Sequence, residues 1–124
     1  MTQDLEIFLR DKYKDLSYSH SGCNDSWFTI IDSALHCIQH HLNYVKPEFR
    51  NDFSLTQIKS KFAGLRIYVS ITDDYIDGII SMAFTMSMKT CEKCGSTKNT
   101  EQIRVGNWLW TLCETCKNKA NEEK

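Results

Sequence analysis

CEKCGSTKNTEQIRVGNWLWTLCETC, residues 91–116, sets two Cys-x-x-Cys pairs eighteen residues apart. Thiolates at positions i and i+3 of a tight turn reach one ion from the same side, and zinc takes four such ligands at tetrahedral corners. Cys91 and Cys94 make the first knuckle, and Gly95 behind them supplies the positive φ that such a turn needs. Cys113 and Cys116 make the second. The spacing is that of a zinc site, with an iron site or a redox dithiol as the alternatives. Between the knuckles, QIRVGNWLWTL predicts two short strands joined at Gly106-Asn107, a hairpin that brings the pairs together. A short terminal helix after Cys113 makes the unit a zinc ribbon or a treble-clef-like module. Four thiolates fill the metal's shell, so the expected role of Zn2+ is structural rather than catalytic. A unit of about 26 residues lies below the roughly 40 that sustain a core, and metal binding worth on the order of 10 kcal/mol supplies what the core lacks.

Outward from this module, the chain of 124 residues predicts one domain with a small appendage: an α+β interaction domain over 1–88 and the four-cysteine zinc-binding module over 89–124. Apolar residues make up 41% and charged residues 25%, which excludes a disordered chain. No apolar run approaches the roughly 18 residues of a membrane span. The start, MTQDLEIFLRDKYKD, carries an acid where an export signal carries positive charge, so the expected location is the cytoplasm. In that reducing compartment the six cysteines read as thiols rather than disulfides, with Cys23 and Cys37 standing apart from the metal set.

The formal charge of −1 gives no overall attraction to a polyanion. Its distribution is uneven: residues 1–58 hold five basic and eight acidic side chains, and residues 89–124 hold seven basic and five acidic.

Helical spacing of Leu5, Phe8, Leu9 and Leu16 predicts an amphipathic first helix. Trp27, Ile30, Ile31, Leu35, Ile38 and Leu42 predict a second, with Asn24, Asp25 or Ser26 as its cap. Pro47, the one proline, is expected to break regular structure on its C-terminal side. Alternation at Leu65, Ile67, Val69 and Ile71 predicts a half-buried strand, paired antiparallel with a strand containing Phe53, Leu55 and Ile58. Thr72 is placed to cap a third helix that turns Ile76, Ile79, Ile80, Ala83 and Phe84 to a core. The fold class is thus α+β, amphipathic helices on a small antiparallel sheet.

Other reactive groupings read as structural. His36, Cys37, His40 and His41 share a helix, but HCIQH lacks the glutamate of a zinc protease. Cys23 near His20 has no orienting third group, and Asp73, Asp74 and Asp77 suit the positive end of a helix. No catalytic residue is assigned, and an enzyme is not expected. Lys59, Lys61, Arg66 and Arg104 are candidates for phosphate contacts, and Trp108 and Trp110 either stack on a ligand or cover the module's own core.

NDSWFTIID (24–32), KSKFAGLRIY (59–68), DGIISMAFTMSMKTCEKCG (77–95) and GNWLWTLC (106–113) resemble a family of small zinc-ribbon proteins of phages and prophage-bearing bacteria. Ser60, Ala63 and Ile67 depart from the glutamate, glycine and phenylalanine expected there, and Cys116 stands where the family often has histidine. The size and phage-like character also resemble anti-CRISPR proteins that bind type I surveillance complexes. That resemblance implies a non-enzymatic inhibitor whose partner is a protein or ribonucleoprotein complex and which blocks access of target DNA. The alternative is a zinc-ribbon nucleic-acid-binding accessory protein acting through the basic residues named above.

Overall fold

The computed structural model describes residues 1–122. Helix α1 (Gln3–Lys12) buries Leu9 and Glu6 and is continued inward by Tyr13 and Leu16. Phe8, expected inside, lies at the surface against Phe28, ring centroids 5.7 Å apart. Tyr13 takes the inward place instead, because its hydroxyl reaches the backbone carbonyl of Asp32 at 2.7 Å and the Asp32 carboxylate as well. Glu6 stays buried by accepting the Ser21 N–H and the Tyr18 hydroxyl, both at 3.0 Å. That fixes a two-residue strand, β1 (Ser21–Gly22), against the main sheet.

Helix α2 (Phe28–His41) and its flanks bury the whole expected stripe, Trp27, Ile30, Ile31, Leu35, Ile38 and Leu42. Its expected side-chain cap does not form. The chain enters through a 3-10 turn at Asp25–Trp27; the Asp25 carboxylate accepts the Thr2 N–H, and the Asn24 amide donates to the Glu92 carbonyl. Pro47 starts an element rather than ending one. It opens the short helix α3 (Pro47–Asp52), where its missing N–H costs nothing because first-turn donors have no helical partner.

Strands β2 (Leu55–Lys61) and β3 (Gly64–Val69) pair antiparallel with Ile58 opposite Ile67, both buried. β3 ends at Val69, short of Ile71. β1 adds to β2 in parallel, giving the order β1-β2-β3. The β2–β3 turn places Phe62 and Ala63 at φ +52° and +66°, values that a two-residue type I′ hairpin requires and that glycine or asparagine adopts more readily.

Helix α4 (Asp74–Ser87) packs between α2 and β3. Asp73, not Thr72, is the cap: its Oδ1 accepts the Ile76 N–H at 2.9 Å, while the Thr72 hydroxyl donates to Asp77. Ile76 and Ala83 are buried; Ile79, Ile80 and Phe84 are half-buried. At Gly64 the helix approaches closely: a Cβ there would stand 2.3 Å from the Phe84 ring.

The C-terminal part matches the expected plan. β4 (Thr100–Val105) and β5 (Trp108–Cys113) form a hairpin with Gly106 at φ +64°, and helix α5 (Glu114–Glu122) comes directly after β5. Knuckle, hairpin and helix in this order make the arrangement treble-clef-like rather than a ribbon with two matching knuckles. Cys91, Leu112 and Cys113, with Ile103, Trp110, Cys116 and Ala120, form a second small cluster separate from the main core. Polar bonds join the two: Trp27 Nε1–H donates to the Thr90 carbonyl, and the Thr111 hydroxyl donates to the Ala63 carbonyl.

Candidate metal centre

The first knuckle closes by backbone bonds: the Gly95 N–H donates to the Cys91 carbonyl at 3.0 Å, and the Cys91 N–H donates to the Ser96 carbonyl at 2.8 Å. Gly95 at φ +82° has the left-handed backbone that the turn demands. The second pair comes from a strand end and a helix start, Cys113 closing β5 and Cys116 in the first turn of α5. The strand–helix junction aims both thiols at the first knuckle.

The four sulfurs lie within 4.8 Å of one another, and those of Cys94 and Cys113 are 3.6 Å apart. A sulfur–sulfur bond measures about 2.05 Å, so these are separate thiols. Metal–sulfur bonds of about 2.3 Å at tetrahedral corners separate the sulfurs by about 3.8 Å, so the set fits one thiolate-bound metal ion. Burial opposes ionisation of Cys91, but the N–H groups of Cys113, Cys94 and Lys93 outweigh it and bring the thiol down to about 7. Cys116 is pushed the other way, up to about 12, by burial and by the neighbouring thiols. Without a cation the cluster thus retains protons, and a bound ion displaces them.

The remaining reactive residues do not assemble into a site. Cys23 is buried and lines the main core; burial, reinforced by the Glu92 charge, pushes its thiol up to about 12, and His20 is exposed. His41 spans two helices instead of holding a metal: Nε2 lies 2.7 Å from Asp73 Oδ2, and its ring stacks on Tyr75 at 4.2 Å. His36, Cys37 and His40 lie exposed on α2, and among the described residues the four cysteines are the only metal-type grouping.

The candidate contact residues divide between two places. Lys59 and Arg66 are direct cross-strand partners on the face of β2–β3 turned away from Ile58 and Ile67. The Lys59 ammonium lies 5.8 Å from the Tyr68 ring, Lys61 lies 5.5 Å from Phe62, and the Arg66 guanidinium lies 4.5 Å from Phe84. Like charges directly opposed destabilise a sheet, and no carboxylate of the described residues lies within ion-pair distance of these three cations. Arg104 sits apart on β4, exposed.

Trp108 and Trp110 share one face of β5 and meet edge to face at 6.2 Å. Trp110 is half-buried over the metal cluster, as expected of a residue that covers the module's core, whereas Trp108 is exposed. With Ser60, Asn24, Cys23 and Glu92 they line a cleft of about 310 Å³.

Lys93, over the Trp110 ring at 4.5 Å, was not among the expected contacts, nor were Phe62 and Tyr68. The signal for the last two was present in the sequence, since residues 53–72 contain three cations and no acid. No protein-family model, curated protein or solved structure matches the chain.

Proposed function

We propose that this chain is a non-enzymatic binding protein, stapled by a structural Zn2+ on Cys91, Cys94, Cys113 and Cys116, that acts in the cytoplasm on a nucleic-acid-processing complex. The observation that carries this reading is the Lys59–Arg66 cross-strand pair: two opposed cations, flanked by Lys61 and exposed Tyr68 and Phe62, with no acid of the described residues to neutralise them. Such a face gains when an anionic surface covers it. Aromatic rings between cations add stacking surface that tolerates many sequences. Zinc is the metal that four closely spaced thiolates favour, and its filled shell leaves the chemistry to recognition.

The resemblance to phage proteins narrows the partner to a type I CRISPR surveillance complex, whose target-DNA binding the protein blocks. The purified, zinc-loaded protein is mixed with such a complex and labelled target duplex, and duplex capture is measured by gel shift. Loss of capture, reversed by Lys59→Glu with Arg66→Glu, supports the reading; full capture at a large excess of protein refutes this target.

Direct binding to free nucleic acid is the second reading, favoured by the same face. It requires an affinity that falls steeply with salt, by roughly one counterion per phosphate contacted. A flat salt response excludes it.

A further inference from the structure

Helix α4 has a second apolar face, directed away from the core. Tyr75, Met82 and Met86 are 52%, 66% and 48% exposed, large values for side chains of this kind. With 3.6 residues per turn, positions 75, 82 and 86 fall within about 40° of one another around the helix axis, with half-buried Ile79 beside them. The residues from Gly78 to Met88 contain no charge. Charge appears only at the ends: the capping Asp73 with Asp74 and Asp77 in the first turn of the helix, and Lys89 just beyond its end.

We infer that this face is the interface of a two-fold symmetric homodimer, in which α4 packs antiparallel on α4 of a second copy with Met82 at the axis. The partner is identified by self-complementarity. A two-fold axis through Met82 sets position 78 against position 86 of the other copy, and position 75 against position 89. Gly78 has open space where a Cβ would stand, a notch that accepts the unbranched, adaptable side chain of Met86 from the second copy. The same operation brings Lys89 of the second copy beside Asp74 on the same flank of the helix pair. Each ion pair occurs twice, as an isologous interface requires. A parallel pairing would instead set Asp74 against Asp74. The like-charged ends therefore select the antiparallel arrangement.

The zinc-loaded full chain is examined by sedimentation velocity between 1 and 100 µM, in dilute and in concentrated salt. A species of twice the 14.4 kDa chain mass is expected at the upper concentrations. Met82→Glu, at an exposed position, is expected to give monomer with an unchanged far-UV spectrum. Lys89→Glu is expected to raise the dimer dissociation constant on the order of tenfold, because two ion pairs are lost together. Adding Asp74→Lys to Lys89→Glu reverses the charges on both sides and is expected to restore the wild-type value. Wild-type protein that stays monomeric at 100 µM overturns the inference. So does a dimer that Met82→Glu leaves intact, or one in which the double charge reversal restores nothing.

Discussion

Glu92 and Thr111 are tied together twice: the Glu92 N–H donates to the Thr111 carbonyl at 2.9 Å, and the Thr111 N–H donates to Glu92 Oε2 at 2.7 Å. The other carboxylate oxygen accepts the Ser60 hydroxyl at 3.0 Å, so one buried side chain joins the metal module to strand β2. Adjacent to Cys91, this residue transmits the position of the first knuckle to the main sheet.

Glu92→Ala leaves the Thr111 N–H and the Ser60 hydroxyl without their acceptors. The buried Thr111 N–H left without an acceptor costs about 1–3 kcal/mol, and the part-buried Ser60 hydroxyl, which can turn to water, costs less. A loss of about 1–4 kcal/mol is therefore expected in urea unfolding. Glu92→Gln keeps one acceptor oxygen and is expected to lose less. A change below about 0.5 kcal/mol for the alanine variant would mean that the two parts do not depend on this junction.

Cys94→Ser or Cys113→Ser removes one corner of the thiolate tetrahedron, and removing the metal with a chelator is expected to have the same effect. The second cluster has few buried apolar side chains, and its stability depends on the ion. Amide exchange is expected to rise across residues 91–116 first, while α2 and β3 stay protected by the separate main core. A serine variant that still holds one tightly bound metal per chain contradicts the four-thiolate assignment.

Much of this architecture was legible from spacing alone. The knuckles, the Gly106 hairpin and the α2 stripe are set by contacts a few residues apart, which periodicity and turn chemistry report. The misses share a different cause. Asn24 and Asp25 have good capping chemistry, but Glu92 and Thr2 from distant segments claim their side chains. Tyr13 displaces Phe8 because its hydroxyl finds Asp32, nineteen residues away. β1 is two residues long and exists through parallel pairing with β2 and the buried Glu6, neither of which leaves a local pattern.

Asp73 links acid stability to the α2–α4 contact. Its partial burial favours the neutral form, but the His41 hydrogen bond and the Ile76 N–H outweigh this and hold the carboxyl below its usual range. A folded-state value below the unfolded one means that the stabilisation is complete above the unfolded pKa, about 3.9, and fades as pH falls through the lower folded value. Asp73→Asn keeps the oxygen that caps Ile76 and removes the charge together with the oxygen that faces His41 Nε2. The variant is expected to be less stable than wild type near pH 5, with the gap closing as pH falls below 4 in parallel urea titrations. A gap that is constant or widens towards low pH would assign the stabilisation to another group.

The Gly64–Phe84 approach couples the sheet to the cationic face. Any Cβ at position 64 would stand 2.3 Å from the Phe84 ring, so Gly64→Ala must displace that ring. Overpacking of this kind costs about 1–3 kcal/mol. The displaced ring is also the surface on which the Arg66 guanidinium rests, 4.5 Å from its centroid, so the substitution frees Arg66 as well. Phe84→Ala removes both the obstacle and the resting surface. In a double-mutant cycle, Gly64→Ala is therefore expected to be costly alone and nearly neutral in the Phe84→Ala background, a coupling of at least about 1 kcal/mol. Additive effects would show that the helix moves as a body to admit the methyl group, with the ring of Phe84 and the placement of Arg66 unaffected.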